Sequence, residues 1–237
     1  FSGRLTAPLV FAGAVASQLL ARHGISIGSH ILQIGSVCDR NFSPLGEETA
    51  LLQHLKSHTL PVLDTDKAKA MEAEILAAKQ EQDSVGGIIE CIIQGLPAGM
   101  GDPFFDSVES QLSQMMFSIP AVKGIEFGDG FALAAMRASQ ANDAFYYEKE
   151  QVKTKTNHNG GINGGITNGM PVLFRLAVKP TPSISQPQQT IDTDTQKNCT
   201  LEITGRHDPC IVQRAVPVVE AAAAWTLLDM YIGAKRM

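Results

Sequence analysis

No C-x-x-C pair occurs among the four cysteines, Cys38, Cys91, Cys199 and Cys210, and their wide spacing excludes a dense disulfide scaffold. They read as reduced cytosolic thiols. Long blocks of like charge are also missing: 19 basic residues are scattered among 24 acidic ones, for a net charge of -5. No nucleic acid and no membrane surface is therefore expected as a partner. No apolar run reaches the ~18 to 20 residues of a membrane span, and no cationic-then-apolar signal segment opens the chain. A soluble, cytoplasmic protein is the expectation. There is no internal repeat of fixed period. An initiator Met is lacking too, since Phe1-Ser2-Gly3-Arg4-Leu5-Thr6 runs straight into an Ala-rich apolar stretch.

What is there begins with enough apolar material for a sizeable core: 44% of 237 residues are hydrophobic, and a single domain over residues 1–237 is expected. Pro8 to Arg22 reads as a buried helix, with Pro8 in its first turn and Gly24 where a left-handed cap would stop it. Ile25 to Val37 is extended, and helical periodicity returns at Glu47 to Ser57 and at Thr65 to Gln82, with Asp64 as N-cap of the latter. Gly86 to Gln94 is a near-continuous β-type run and Phe105 to Phe117 is amphipathic; Val172 to Val178 and Leu201 to Thr204 read as strands. The last helix, Arg214 to Ile232, is apolar over much of its surface and belongs in a core or an interface. Between Glu148 and Asn198 the composition turns to Gly, Asn, Thr, Pro and Gln, which predicts long irregular loops broken by one strand. Helices and strands interleave, so the class is α/β or α+β.

Chemistry is concentrated in three segments. Asn157 to Gly169 (Asn-His-Asn-Gly-Gly-Ile-Asn-Gly-Gly-Ile-Thr-Asn-Gly) holds five glycines within ten residues, which frees backbone N–H groups to face an anion. Its spacing is neither G-x-G-x-x-G nor a P-loop, so a flexible loop and a phosphate or cofactor cradle stand side by side as readings. Lys179-Pro180-Thr181-Pro182-Ser183 joins a cation and hydroxyls to two backbone-restricting prolines, which suits an oxyanion and equally describes a solvated strand end. Gly205-Arg206-His207-Asp208-Pro209-Cys210 packs a guanidinium, an imidazole and a carboxylate before the last helix; an anion clamp with a proton acceptor and a plain charged turn both fit. His54 and His58, four apart on a helix, lack a third ligand and read as exposed residues, so no metal is expected. His23 and His30 have no chemical neighbours in sequence, and Met115-Met116-Phe117 reads as core packing.

In this order the segments resemble the chorismate synthase family. The stretches that carry the likeness are Phe1 to Ala12, Gly95 to Asp102, Ile119 to Phe131, Asn157 to Gly169, Lys179 to Ser183 and Gly205 to Glu220, which cover nearly the whole chain. Members also carry a long N-terminal region with two histidine motifs assigned to acid catalysis, and the expectation is a truncated core that lacks it. The resemblance implies a β-α-β sandwich assembled as a homotetramer. It also implies a lyase that converts 5-enolpyruvylshikimate 3-phosphate to chorismate and phosphate by trans-1,4-elimination, the last common step of aromatic amino acid biosynthesis in the shikimate pathway. Reduced FMN is the implied cofactor, with NADPH as a reductant for it. A flavin- or phosphate-binding fragment without catalysis is the alternative that the missing histidines suggest.

Carried over by motif, Asp208 matches the aspartate credited with poising a flavin nitrogen as a base. Arg206 matches an arginine at substrate and flavin, and Arg4 one that grips the substrate's anionic groups. Ser2, Pro120, Ala121, Gly164, Lys179, Pro180, Thr181, Pro182 and Ser183 fall on positions that line the flavin. The chain departs from the commonest pattern at Phe1, Gly3 and Pro120. Independently of the family, Arg4, Lys179, Arg206 and the glycine loop supply the fixed cations and backbone donors that a multiply anionic ligand needs. The small-residue stretch Ala221 to Trp225 of the last helix, with only 18% charged residues in the chain, suits surface buried between subunits.

Overall fold

The stretch Gly-Ile-Ile-Glu-Cys-Ile-Ile-Gln is apolar on both of its alternating faces, which only an inner strand satisfies. In the computed structural model, which describes residues 3–234, it is the middle strand of a five-stranded sheet. The chain runs through α1 (Ala7–Ala21), β1 (Ser26–Ile34), β2 (Val37–Cys38), α2 (Thr49–Lys56), α3 (Thr65–Gln80), β3 (Gly87–Gln94), α4 (Val108–Phe117) and β4 (Val122–Phe127). It continues through a short α5 (Ala138–Ala141), the hairpin β5 (Phe145–Glu148) and β6 (Gln151–Thr154), the ribbon β7 (Ile162–Asn163) and β8 (Ile166–Thr167), and then β9 (Val172–Val178). A last hairpin, β10 (Gln188–Asp192) and β11 (Lys197–Leu201), precedes the long helix α6 (Val212–Ala234). The sheet order is β2-β1-β3-β9-β4 with every pair antiparallel, so the class is α+β.

The two faces of the sheet are unequal. Ile27, Ile31, Ile89, Ile93, Phe174 and Leu176 pack with Leu20 of α1, Leu112 of α4 and Val219, Ala223 and Leu227 of α6 in the main core. On the other face Ile92 and Leu173 meet Phe42 and the α2 residues Leu52 and Leu55. Each such buried side chain contributes about 1.5–3 kcal/mol, so the α6 face carries most of the stabilisation.

Several expected elements lie where the sequence put them. Asp64 caps α3 by accepting from Asp66 N at 3.0 Å, and Gly24 takes φ +77° just after α1. Others differ. The first helix is not buried: only Gly13, Ala16 and Leu20 are, while Phe11 is 75% exposed, because α1 packs along α6 by one strip. The amphipathic segment starts as helix only at Val108, where Ser107 caps it, and leaves Phe104, Phe105 and Phe117 exposed; of the Met115–Phe117 trio only Met116 is fully buried. The predicted strand at Leu201–Thr204 is displaced to β11, and the supposed loops after Glu148 contain hairpins. Those ribbons lack apolar alternation because most of their positions, Thr154 apart, are exposed or only partly covered, so periodicity had nothing to report. β4 was also missed. Two helical stretches, Gly3–Ala21 and Val212–Ala234, are long and apolar enough to cross a membrane, contrary to the reading that no run suffices; α6 owes this to its place in the core.

His30 has partners after all. Its ring, fully buried on β1, sits between Asp39 (Nδ1 to Oδ2 3.2 Å) and Glu90 (Nε2 to Oε2 3.0 Å), residues too distant in sequence to be read as neighbours. Burial lowers the imidazole pKa, but the Asp39 and Glu90 carboxylates outweigh it and the net shift is upward. For Asp39 burial pushes up, yet His30 and the N–H groups of Leu63 and Arg40 bring the carboxyl below its ordinary value. Glu90 also accepts from Phe42 N at 2.6 Å, so the cluster ties the segments around residues 39–42 and 63–64 to the sheet. His54 and His58 are exposed, with ring centroids 4.3 Å apart, and among the described residues no group of three or more His, Cys, Asp or Glu is arranged to hold a metal.

The parallel run of α1 along α6 depends on one glycine. A Cβ on Gly13 would lie 2.4 Å from Cα, Cβ and O of Ala221, while ten residues further on the His23 ring stacks 5.0 Å from Tyr231. Gly13→Ala is therefore expected to lower stability by about 1–3 kcal/mol in urea unfolding, because backbone and not a flexible side chain must move. Gly233→Ala, at an open helical position, serves as the control and should cost nothing.

A pH dependence follows from the His30 cluster. The raised His30 contributes stability that is complete below about pH 6.5, the unfolded value, and is lost as pH rises through the folded one. The lowered Asp39 contributes above about pH 3.9 and is lost as pH falls through its folded value. The urea midpoint should thus fall as pH rises above about 6.5, and fall less in Asp39→Asn. Glu220, whose carboxyl burial raises against the pull of Lys56, adds a loss of the same sign that begins above about pH 4.3 and is shared by both proteins. Equal slopes in the two proteins would remove His30 as the origin.

Candidate active site

The chain leaves β9 at Val178, paired with Gly87 on one side and Val122 on the other, and enters Lys179–Ser183. Lys179 N donates to Ala121 O at 2.9 Å, and Ala121 is held at φ +73°, an uncommon conformation for a residue with a Cβ. Pro120, Ala121 and Lys179, distant in sequence, are thus neighbours. Pro180 crosses the start of β3 so closely that a Cβ on Gly86 would meet Val178 O at 2.4 Å and Pro180 Cδ at 2.9 Å. Ser84 Oγ donates to Thr181 O (2.7 Å), and Val85 N to Pro209 O (2.8 Å), so the 82–86 segment ties the lysine segment to the one that carries Arg206 and Asp208.

Within this cluster the polar groups differ in how far they are satisfied. Thr181 Oγ1 is buried and has no hydrogen-bond partner. Ser183 Oγ lies 3.1 Å from His207 Nδ1, and His207 Nε2 lies 3.1 Å from Ile203 O. Asp208 Oδ2 accepts from Arg214 Nη1 at 2.7 Å in a solvent-exposed pair, worth at most about 1 kcal/mol. Lys179, Pro180, Pro182 and Arg206 are exposed. Just beyond, the buried Cys210 thiol is pushed up by burial, against the N–H groups of Val212 and Gln213, and is unsuited to nucleophilic work. Arg4 stands in the 3-10 turn Gly3–Thr6 ahead of α1; since α1 runs parallel to α6, Arg4 shares the end at which Arg206 and Asp208 lie. Ser2 lies outside the described residues.

Gly164 does not join them. It sits at the β7–β8 turn, whose flank Gly165 takes up Val108 N, and this ribbon adjoins the beginning of β9 while Lys179 follows its end. Seven residues of strand separate the two, about 24 Å at ~3.4 Å per residue. The glycine segment has its own supports. Asp143 accepts from Thr156 Oγ1, His158 N, Asn159 N and Asn159 Nδ2, at 2.8 to 3.0 Å. Burial raises the Asp143 carboxyl, but the Asn159 and His158 amides prevail and hold it below its usual range. His158 Nδ1 contacts Asp129 Oδ2 at 2.6 Å, and Glu126 pairs with Arg175 at 3.0 Å. Neither His207 nor these pairs had been singled out; His207 was visible only as part of its motif.

A cavity of about 640 Å³ opens elsewhere, between α1, α6 and the outer edge of β1, lined by Val10, Gly13, Ser29, Lys56 and Glu220 among others. Glu220 takes up Ser29 N at 2.8 Å there, and Lys56 lies 3.5 Å away. Among the described residues, none of those matched to substrate or flavin lines it.

The family model described as chorismate synthase matches residues 1–232. A chorismate synthase of Dehalococcoides mccartyi is 44% identical over 234 residues, which are 99% of this chain and 63% of that protein. One from Methanothermobacter thermautotrophicus is 44% identical over 236 residues, 98% of this chain and 62% of its own length. The chain thus spans somewhat under two thirds of these relatives. A solved chain titled "Crystal Structure of Chorismate Synthase" superposes with a TM-score of 0.82 at 28% identity, covering 98% of this chain and 64% of that one.

Asp143 gives the glycine segment a test of its own. Asp143→Ala leaves the His158 and Asn159 amides without their acceptor, and is expected to cost about 1–3 kcal/mol and to speed hydrogen exchange at those amides. Exchange protection unchanged at His158 would refute this role.

Proposed function

The chain belongs to the chorismate synthase family, and from that premise we propose that it serves the elimination of phosphate from 5-enolpyruvylshikimate 3-phosphate to give chorismate, within aromatic amino acid biosynthesis. The observation that carries the reading is that Lys179–Ser183, which includes the buried and unpartnered Thr181 Oγ1, is linked at one end of the sheet to Pro120–Ala121 through Lys179 N and Ala121 O and to Arg206–Asp208 through the Ser183–His207 contact. An orphaned hydroxyl with exposed Lys179 and Arg206 in the same cluster fits a ligand that is anionic and rich in hydrogen-bonding groups. Reduced FMN is the proposed cofactor, held by Lys179, Pro180, Thr181, Pro182 and Ser183 with Ala121 and Pro120 beside them, and NADPH is the proposed reductant. When bound it would lend electron density as the C–O bond to phosphate breaks.

The chain's own groups then have separable tasks. Lys179 and Arg206 hold anionic oxygens by charge-assisted hydrogen bonds, and Arg4, at the same end, grips the substrate's anionic groups. The strained Ala121 and the two prolines fix the backbone, so little order remains to be gained on binding. Asp208 holds or accepts a proton at its carboxylate, which Arg214 orients through Oδ2. Gly164, at the far end, takes no part in this cluster within one copy of the chain. We assign residues 1–237 to one domain acting in the cytoplasm as a homotetramer.

The test is an anaerobic assay with reduced FMN and binding measured alongside. Arg206→Ala should weaken ligand binding by about 1.5–3 kcal/mol as well as slow the reaction. Asp208→Asn should reduce kcat ~10²-fold or more while leaving reduced-flavin affinity largely intact. A near-normal kcat in Asp208→Asn would end its catalytic assignment, and flavin binding with no turnover in the unaltered protein would favour a non-catalytic binding role.

A further inference from the structure

A carbonyl oxygen can only accept a hydrogen bond, so the 3.1 Å contact between His207 Nε2 and Ile203 O requires the proton on Nε2. In a neutral imidazole that leaves Nδ1 with a lone pair. Nδ1 lies 3.1 Å from Ser183 Oγ, so the only bond available between them has the serine hydroxyl donating to the ring. We propose that His207 is a positioning residue that commits the single proton of the Ser183 hydroxyl, so that Ser183 meets its ligand as an acceptor and selects an N–H or O–H donor over a phosphate oxygen.

Both ring nitrogens are engaged by groups from different segments, which fixes the ring as well as its tautomer. The division of work inside the cluster follows. Lys179, and Thr181 with its unpartnered Oγ1, offer donors to an anion; Ser183 offers only lone pairs. A flavin carries both kinds of complement, since its ring imide N–H and its ribityl hydroxyls donate, whereas its phosphate dianion does not. A ligand gripped only by its phosphate would gain nothing from Ser183. This rests on the flavin reading given above, but the hydrogen-bond direction itself does not depend on any ligand.

The experiment has two arms. In protein labelled with ¹⁵N at histidine, long-range proton–nitrogen correlation reports the tautomer of the neutral His207 ring; Nε2–H is expected, and Nδ1–H would overturn the proposal. In the second arm reduced FMN is titrated anaerobically, with inorganic phosphate as competitor. Ser183→Ala should weaken FMN binding about 2- to 12-fold, the range of one neutral hydrogen bond, and leave competition by phosphate unchanged. Loss of phosphate affinity in step with FMN affinity would overturn the acceptor assignment. Failure of the unaltered protein to bind FMN would count against the flavin reading, while the tautomer measurement would still decide the direction of the Ser183–His207 bond.

Discussion

Strand β9 is hydrogen-bonded along both edges, to β3 from Val172 to Val178 and to β4 from Phe174 to Val178, and what the molecule can do at either end depends on that double pairing. A strand held on two sides has no freedom to slip, because a one-residue shift would turn Phe174 and Leu176 out of the core and bring Ala177 in. The residue that follows it therefore has a fixed position. Lys179 N is bonded to Ala121 O because Val178 is already paired to Val122, and Ala121 accepts its unfavourable φ because α4 and β4 are anchored before and after it. Precision at the candidate site is inherited from the sheet rather than built by the loop.

The same rigidity keeps two motifs apart. The glycine segment precedes β9 and the lysine segment follows it, so the strand that orders both also sets them about 24 Å from each other. Each end has been furnished separately: Asp143 gathers hydroxyl, amide and backbone donors around His158, while the Lys179 end is tied by Ser84, Val85 and His207. A run of glycines that looks mobile in sequence is here held by a carboxylate whose hydrogen bonds outweigh its desolvation. Long composition-biased stretches are poor guides to mobility when one buried acceptor can collect four donors.

How much of this the sequence disclosed depends on where each signal came from. β9 and the course of α6 were legible because their apolar runs are dictated by burial, and Asp64 and Gly24 because cap chemistry is local. The ribbons β5–β6 and β10–β11 were not, since strands exposed on both faces carry no alternating pattern. His30 was read as isolated because its partners Asp39 and Glu90 are brought to it by strand pairing, His30 standing opposite Glu90 across β1 and β3. The first helix was read as buried because Phe11, Val15 and Leu19 are apolar, and composition does not say which strip of a helix meets its neighbour. At the candidate site the motifs supplied the residues but not their adjacency; that Ala121 supports Lys179 is a fact of topology.

Charge completes the account of why an acidic chain can offer a site for anions. Potential at a site is set by the charges near it, since an exposed charge beyond about 8–10 Å is screened at physiological salt. Many of this chain's carboxylates are spent inside contacts elsewhere: Asp39 and Glu90 on His30, Asp129 on His158, Glu126 on Arg175, Glu220 on Lys56 and Ser29 N. Each of these is neutralised or bonded where it stands, and none belongs to the cluster at the end of β9. There the cations Lys179 and Arg206 are exposed, and the carboxylate of Asp208 is already matched by Arg214. Two exposed cations thus stand at this end although the sum over the chain is -5.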